Sequence, residues 1–135
     1  MSSVASPSHV NVAYAFNSDT QAILASRLRV ADTHLSRLIG LIGVRTCDFH
    51  PGGALWIVPC HGVHTFAMRF PIDVVYLDSE HRVRHIEENV RPWRITPIIT
   101  DAATVLELPA RTAWQTGTKI GDHIELHIPS LQEAA

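Results

Sequence analysis

The chain has 135 residues, 46% of them hydrophobic, and a net charge of −2 at pH 7. This length and composition fit one domain with a single buried core, and the chain is too apolar to be disordered. The charge leaves no basic stripe of the density that binding to nucleic-acid phosphates requires, so we expect no nucleic-acid partner.

The first nine residues are small and polar, which predicts a disordered tail without the basic and apolar regions of a secretory signal. No stretch approaches the about 18 consecutive apolar residues of a membrane span. We therefore expect a cytoplasmic protein with no membrane span. The two cysteines, Cys47 and Cys60, are too few for a disulfide framework, and reduced thiols are favoured over a bridge between them.

Alternating apolar and polar residues predict one strand at 10–16 and another at 21–30, the second broken near Ser26. The period then changes. Apolar side chains recur at i, i+3, i+4 and i+7 over residues 33–43, which is typical of an amphipathic helix. Arg37 lies on the face of this helix opposite the apolar stripe.

Most of the later elements are predicted strands, at 54–58, 64–69, 73–77, 82–88, 104–108 and 123–128. Residues 89–100 carry two prolines and predict a long loop held by Trp93, and 111–117 predict a helical turn ended by Gly117. Residues 129–135 are expected to fray. Short strands around one main helix predict a β-rich α+β single domain over residues 10–128, with a curled antiparallel sheet or a small barrel.

Polar and ionisable side chains concentrate in the predicted hairpin that follows Gly62. We expect a ligand-binding site there, supported by Arg37 and Glu107, and lined by His64, Thr65, Met68, Arg69 and Asp73. In such a site arginine supplies a planar fork of donors to an anion or a carbohydrate. A hydrogen-bonded core histidine and an ion network between helix and sheet explain the same residues, and both interpretations stay open.

Other chemistries have weaker support. Cys60, His61 and His64 are candidate metal ligands, but no second Cys/His pair with finger-like spacing follows, so we expect no metal and no cofactor. Cys60 beside a histidine lacks a local orienting acid for nucleophilic catalysis. Glycoside hydrolysis needs two acids in one cleft, and Asp73 and Glu107 would supply them only if the fold brought the two side chains together. The three tryptophans are expected in the core rather than on a ligand, namely Trp56, Trp93 and Trp114.

An ordered set of short motifs resembles a widespread prokaryotic family catalogued as domain of unknown function 192. The set runs over roughly residues 10–127 and comprises Arg37-x-x-Gly40-Leu41, the run from His64-Thr65-Phe66 to Pro71-Ile72-Asp73, Pro92-Trp93, Val105 to Pro109, and Gly121-Asp122. The resemblance implies a compact β-rich α+β domain without an established activity. This chain departs from the family pattern at Ile42, where methionine is frequent, and at Ala110, where glycine is frequent.

These observations favour a small binding or accessory module for a small ligand or a protein partner. The alternative is a hydrolytic or metal-dependent enzyme in which His64 acts with Asp73 or Glu107, because an unperturbed histidine titrates near neutrality. A third interpretation is a structural component of a larger assembly. An exposed apolar patch near the Trp93 loop would favour that interpretation.

Overall fold

A computed structural model describes residues 12–31, 52–66 and 68–129. In this part of the chain lie eight strands and one short helix: β1 (Tyr14–Asn17), β2 (Ala22–Ala25), β3 (Arg27–Ala31), β4 (Gly53–Ile57), β5 (Ile72–Leu77), β6 (Val83–Val90), β7 (Thr104–Pro109), α1 (Thr112–Thr116) and β8 (Ile124–His127). The predicted main helix at 33–43, with Arg37, lies outside the described residues. The predicted tails at 1–9 and 129–135 also lie outside them, except for residue 129. No helix within the described ranges is long and apolar enough to cross a membrane.

The strands form two sheets. One has three strands in the order β2-β1-β8, and the other has five in the order β3-β4-β7-β5-β6. The predicted β-rich α+β single domain is confirmed. The strand pairs are antiparallel, as predicted, except that β3 and β4 are parallel. A parallel pair needs a connection of a dozen or more residues, and β3 and β4 are far enough apart in sequence to allow one. The barrel alternative is wrong, since the two sheets of the described part do not close.

The central strands β5 and β7 are buried on both faces of the five-stranded sheet. Val75 and Leu77 pack with residues of the three-stranded sheet in one core cluster, so we call this side the sandwich face. Val74 and Tyr76 point to the other side, where they pack with Val63, Met68 and other residues of the loops. We call that side the loop face. Burial on both faces explains why β5 is almost continuously apolar in sequence.

Several predicted boundaries are confirmed within a few residues. The strand predicted at 21–30 is broken at Ser26 into β2 and β3. The N–H groups of Ser26 and Arg27 both donate to the Gly52 carbonyl, at 2.8 and 2.9 Å, and this shared contact explains the break. The helical turn at 111–117 is confirmed as α1. It ends at Gly117, whose φ of 67° is a left-handed conformation that glycine adopts without a Cβ penalty.

The predicted strand at 64–69 is wrong. Among the described residues 64–66 and 68–69, only His64 makes a β-bridge, to Ile95. The chain then turns, with the Met68 N–H donating to the Thr65 carbonyl at 3.2 Å. The alternation of facing side chains therefore fails after residue 65. Phe66 is exposed, while Met68 is buried in the core of the loop face.

Candidate functional site

Two loop segments lie side by side over the loop face. Residues 61–65 run antiparallel to residues 93–99, and four backbone hydrogen bonds of 2.8 to 3.0 Å join them. Gly62 allows this close approach, because a Cβ at that position would lie 2.8 Å from the Pro97 carbonyl oxygen. We call this pair of segments the loop layer.

Buried hydroxyl groups fix the loop layer to itself and to β5. The hydroxyl of fully buried Thr65 donates to the Arg91 carbonyl at 2.6 Å and accepts the Arg94 N–H at 2.9 Å. The Tyr76 hydroxyl lies 2.6 Å from the Thr96 hydroxyl and 2.7 Å from the Pro97 carbonyl. Burial raises the pKa of Tyr76, so its proton stays available for these bonds near neutral pH.

A stacked aromatic cluster lies on the outside of this layer. Trp93 is 63% exposed and Phe66 is 38% exposed, and their rings stack with centroids 5.7 Å apart. The His64 ring lies 4.7 Å from that of Phe66, and Ile95, which is paired with His64, is 73% exposed. We call His64, Phe66, Trp93 and Ile95 the aromatic surface. Trp93 has a φ of 63°, an uncommon backbone conformation for a bulky residue and one found disproportionately at functional sites.

The tryptophan expectation is confirmed at one position and wrong at two. Trp56 is buried, and its Nε1–H donates to the Thr104 hydroxyl at 3.0 Å. Trp93 and Trp114 are instead mostly exposed. Trp114 lies on α1, where the Arg111 guanidinium is 5.0 Å from its ring centroid in a cation–π contact.

Asp73 lies on the sandwich face, away from the loop layer. It is fully buried; its Oδ1 accepts the Asn89 N–H and its Oδ2 accepts the Ala113 N–H, each at 2.9 Å. The first bond holds a bulged position of β6, and the second holds the beginning of α1. Both carboxylate oxygens therefore bind backbone groups of the fold.

Glu107 is also fully buried, but on the other face of the sheet. In the β5–β7 register Glu107 pairs with Val74, whereas Asp73 pairs with Leu108. Neighbouring strand residues point to opposite faces, so Asp73 and Glu107 do not form a carboxylate pair. The same alternation places Asp73 on the opposite side of the sheet from the loop layer that contains His64.

The other predicted site residues occupy different environments. The structure brings His64, Thr65 and Met68 together in the loop layer and the core beneath it. The half-buried His64 accepts the Phe66 N–H on its Nδ1 at 3.3 Å, and Arg69 is exposed. A ligand-binding role for these residues stays a prediction, and Arg37 lies outside the described residues.

The candidate metal ligands have hydrogen-bonding environments of their own. The Cys60 thiol donates to the Gly62 carbonyl at 3.0 Å, and His61 is exposed. Over the described ranges no group of three or more His, Cys, Asp or Glu side chains is placed to hold a metal ion. A histidine–carboxylate contact that the sequence interpretation missed joins His85 and Glu87, two residues apart on β6.

A polar cleft borders the aromatic surface. It has a volume of about 370 Å³ and is lined by the end of β6 and the following turn, at Glu87, Glu88, Asn89, Val90, Arg91, Arg94, Ile95 and Thr96. Arg91 and Arg94 are exposed on either side of Pro92-Trp93. Sequence reasoning missed these residues. The signal was present as a tryptophan between two arginines in a proline-containing loop, a composition enriched at binding surfaces.

Comparison with known proteins identifies the family. The model of DUF192, described as Uncharacterized ACR, matches residues 15–126. The chain belongs to the DUF192 family. Among DUF192 relatives, the UPF0127 protein of Thermococcus sibiricus is 26% identical over 117 residues, covering 83% of this chain and 73% of the relative. The UPF0127 protein of Pyrococcus abyssi is 32% identical over 105 residues, covering 73% and 85%. The resemblance seen in the motifs is thereby confirmed.

Solved structures share the DUF192 fold. A crystal structure of a Novosphingobium aromaticivorans protein of unknown function has a TM-score of 0.69 at 20% identity, covering 84% of this chain and 82% of that one. A Sinorhizobium meliloti protein, whose description proposes transcription regulation, has a TM-score of 0.67 at 22% identity, covering 84% and 91%. At these identities the likeness shows the fold alone. No activity is established for the DUF192 family.

Proposed function

We propose that this DUF192 domain is a small protein-binding module and that the aromatic surface is its binding surface. The observation that carries the proposal is Trp93, which is 63% exposed and stacked on Phe66. Tryptophan is among the residues that dominate the energy of protein interfaces, and exposed apolar patches mark interaction sites. The proposal retains His64 from the predicted site, as one end of the surface.

The rigidity of the loop layer supports a binding role. Thr65, Thr96 and Tyr76 hold the backbone beneath Trp93 through buried hydrogen bonds. A platform that is ordered before binding loses little conformational entropy when a partner docks, so more of its contact energy contributes to affinity. Met68 and Thr65 therefore act below the surface in this proposal, as packing and positioning residues.

The shape of the surface supports a protein partner over a small molecule. Small-molecule sites are concave and enclose most of their ligand. Trp93 and Ile95 instead project from the layer with most of their area exposed. The proposal places the protein in the cytoplasm, a compartment that keeps thiols such as that of Cys60 reduced.

Peptide selection tests the proposal. Binders selected from a phage-displayed library of random peptides are measured by isothermal titration calorimetry against the unmodified domain, Trp93→Ala and Trp114→Ala. The proposal predicts that Trp93→Ala weakens binding by about 30-fold, the loss typical of an interface hot spot. Trp114→Ala is the matched control, because Trp114 is 69% exposed and lies on a different element, and it should leave affinity unchanged. A selection without binders, or binders that are indifferent to Trp93→Ala, would overturn the proposal.

A further inference from the structure

The two arginines beside Trp93 have no acidic partner within the described ranges. No ion pair there involves Arg91 or Arg94, and the Arg94 Nη1 makes only a long contact of 3.5 Å with the Trp93 carbonyl. Arg84 differs, since its guanidinium lies 3.4 Å from Asp101 and 4.0 Å from Asp78. Arg91 and Arg94 thus form no direct ion pair in the described part of the chain, whereas Arg84 does.

The backbone of this turn is fixed although the arginine side chains are exposed. The Thr65 hydroxyl binds the Arg91 carbonyl and the Arg94 N–H, so one buried group holds the residues on both sides of Trp93. The backbone positions from which the two arginine side chains extend are therefore fixed, one before and one after Trp93 in the chain. Guanidinium groups bind carboxylates through two parallel hydrogen bonds, which gives geometric specificity as well as energy.

The polar cleft beside the aromatic surface limits the size and the polarity of a segment that could bind there. Its volume of about 370 Å³ is at the lower end of the range of ligand clefts, and a few side chains of a bound segment would fill it. Glu87 and Glu88 line it from β6, and Glu87 contacts His85, while Arg91 and Arg94 line it from the turn. The cleft has an acidic strand side and a basic turn side, and the basic side adjoins Trp93.

We propose that the occupant of the aromatic surface is an extended segment of a partner protein in which carboxylates flank an apolar side chain. The apolar side chain packs on Trp93 and Phe66, and the carboxylates pair with Arg91 and Arg94. This inference rests on the proposed function and adds the chemistry of the partner. Charge complementarity at the edge of an interface raises the association rate and selects against wrong partners.

Three synthetic peptides of equal length test the inference. Each has one central phenylalanine, flanked by glutamates, glutamines or lysines, and their affinities are measured by calorimetry. We expect the glutamate peptide to bind about tenfold or more tightly than the glutamine peptide, with the lysine peptide weakest, as expected for close charge pairs. Added salt should reduce this preference, because it screens exposed charges.

Charge reversal provides the matched variants. Arg91→Glu and Arg94→Glu should each weaken the glutamate peptide and strengthen the lysine peptide. Arg84→Glu changes the net charge by the same amount at a paired position, so it should leave both affinities unchanged.

The outcomes separate this inference from the proposed function. Equal affinities for all three peptides, each abolished by Trp93→Ala, would overturn the acidic segment and leave the aromatic surface standing. No binding of the glutamate peptide would also overturn the acidic segment, while the phage selection decides the proposed function independently.

Discussion

At the scale of single residues, the fold uses several polar groups that the sequence suggested for a ligand. Asp73 is the strongest case, because its two carboxylate oxygens accept backbone N–H groups from β6 and α1. Such a carboxylate joins three elements of the domain. Its burial without a lysine or arginine partner in the described ranges is compensated by these two charge-assisted hydrogen bonds.

Replacing Asp73 by asparagine tests this structural role. Asparagine retains one acceptor oxygen and turns its amide N–H₂ toward one of the two backbone donors, which is then unsatisfied. We expect the free energy of unfolding to fall by about 1–3 kcal/mol, measured by urea denaturation. Asp101→Asn is the control, since Asp101 is exposed, and its effect should stay within about 0.5 kcal/mol. Unchanged stability of Asp73→Asn together with lost peptide binding would instead assign Asp73 to the binding site.

At the scale of elements, the loop layer shows where sequence reasoning succeeded and where it failed. The strands β5 and β7 were predictable, because burial on both faces requires uninterrupted apolar runs. Residues 64–69 have the same local alternation, but those that the structure describes (64–66 and 68–69) form no strand. Their conformation depends on the Thr65 hydroxyl, whose partners lie 26 and 29 residues later in the chain. A local pattern does not reveal hydrogen bonds of that separation.

Replacing Thr65 by valine tests how far this hydroxyl controls the turn at Trp93. The change leaves the Arg94 N–H and the Arg91 carbonyl without their side-chain partner and should lower the free energy of unfolding by about 1–3 kcal/mol. We also expect faster amide hydrogen exchange at Arg94 and weaker peptide binding, because the platform is no longer held in place.

Thr112→Val is the matched control for that experiment. The Thr112 hydroxyl, at the first residue of α1 and outside the loop layer, donates to the Pro109 carbonyl at 2.7 Å. Its loss should leave exchange at Arg94 and peptide affinity unchanged. Equal effects of the two variants on Arg94 exchange would show that Thr65 has no special role in the turn.

At the scale of the whole molecule, the five-stranded sheet divides the predicted site. His64 and the loop layer lie on one side, and Asp73 and α1 on the other. The sequence placed these residues within ten positions of one another and correctly indicated that the segment was unusual. The sequence could not show that the chain turns before Pro71. Nor could it show that the alternation of side chains along β5 directs Asp73 to the side of the sheet opposite His64. The family and the fold class were predictable, whereas the surface we propose for binding required coordinates.

Backbone chemical-shift mapping tests the central claim most directly. The ¹⁵N-labelled domain is titrated with a peptide from the phage selection, and shift changes are followed residue by residue. We predict that the largest changes fall at residues 64–66 and 91–96, with α1 and its neighbours unaffected. Changes centred on Trp114 and α1, with none around Trp93, would contradict the account.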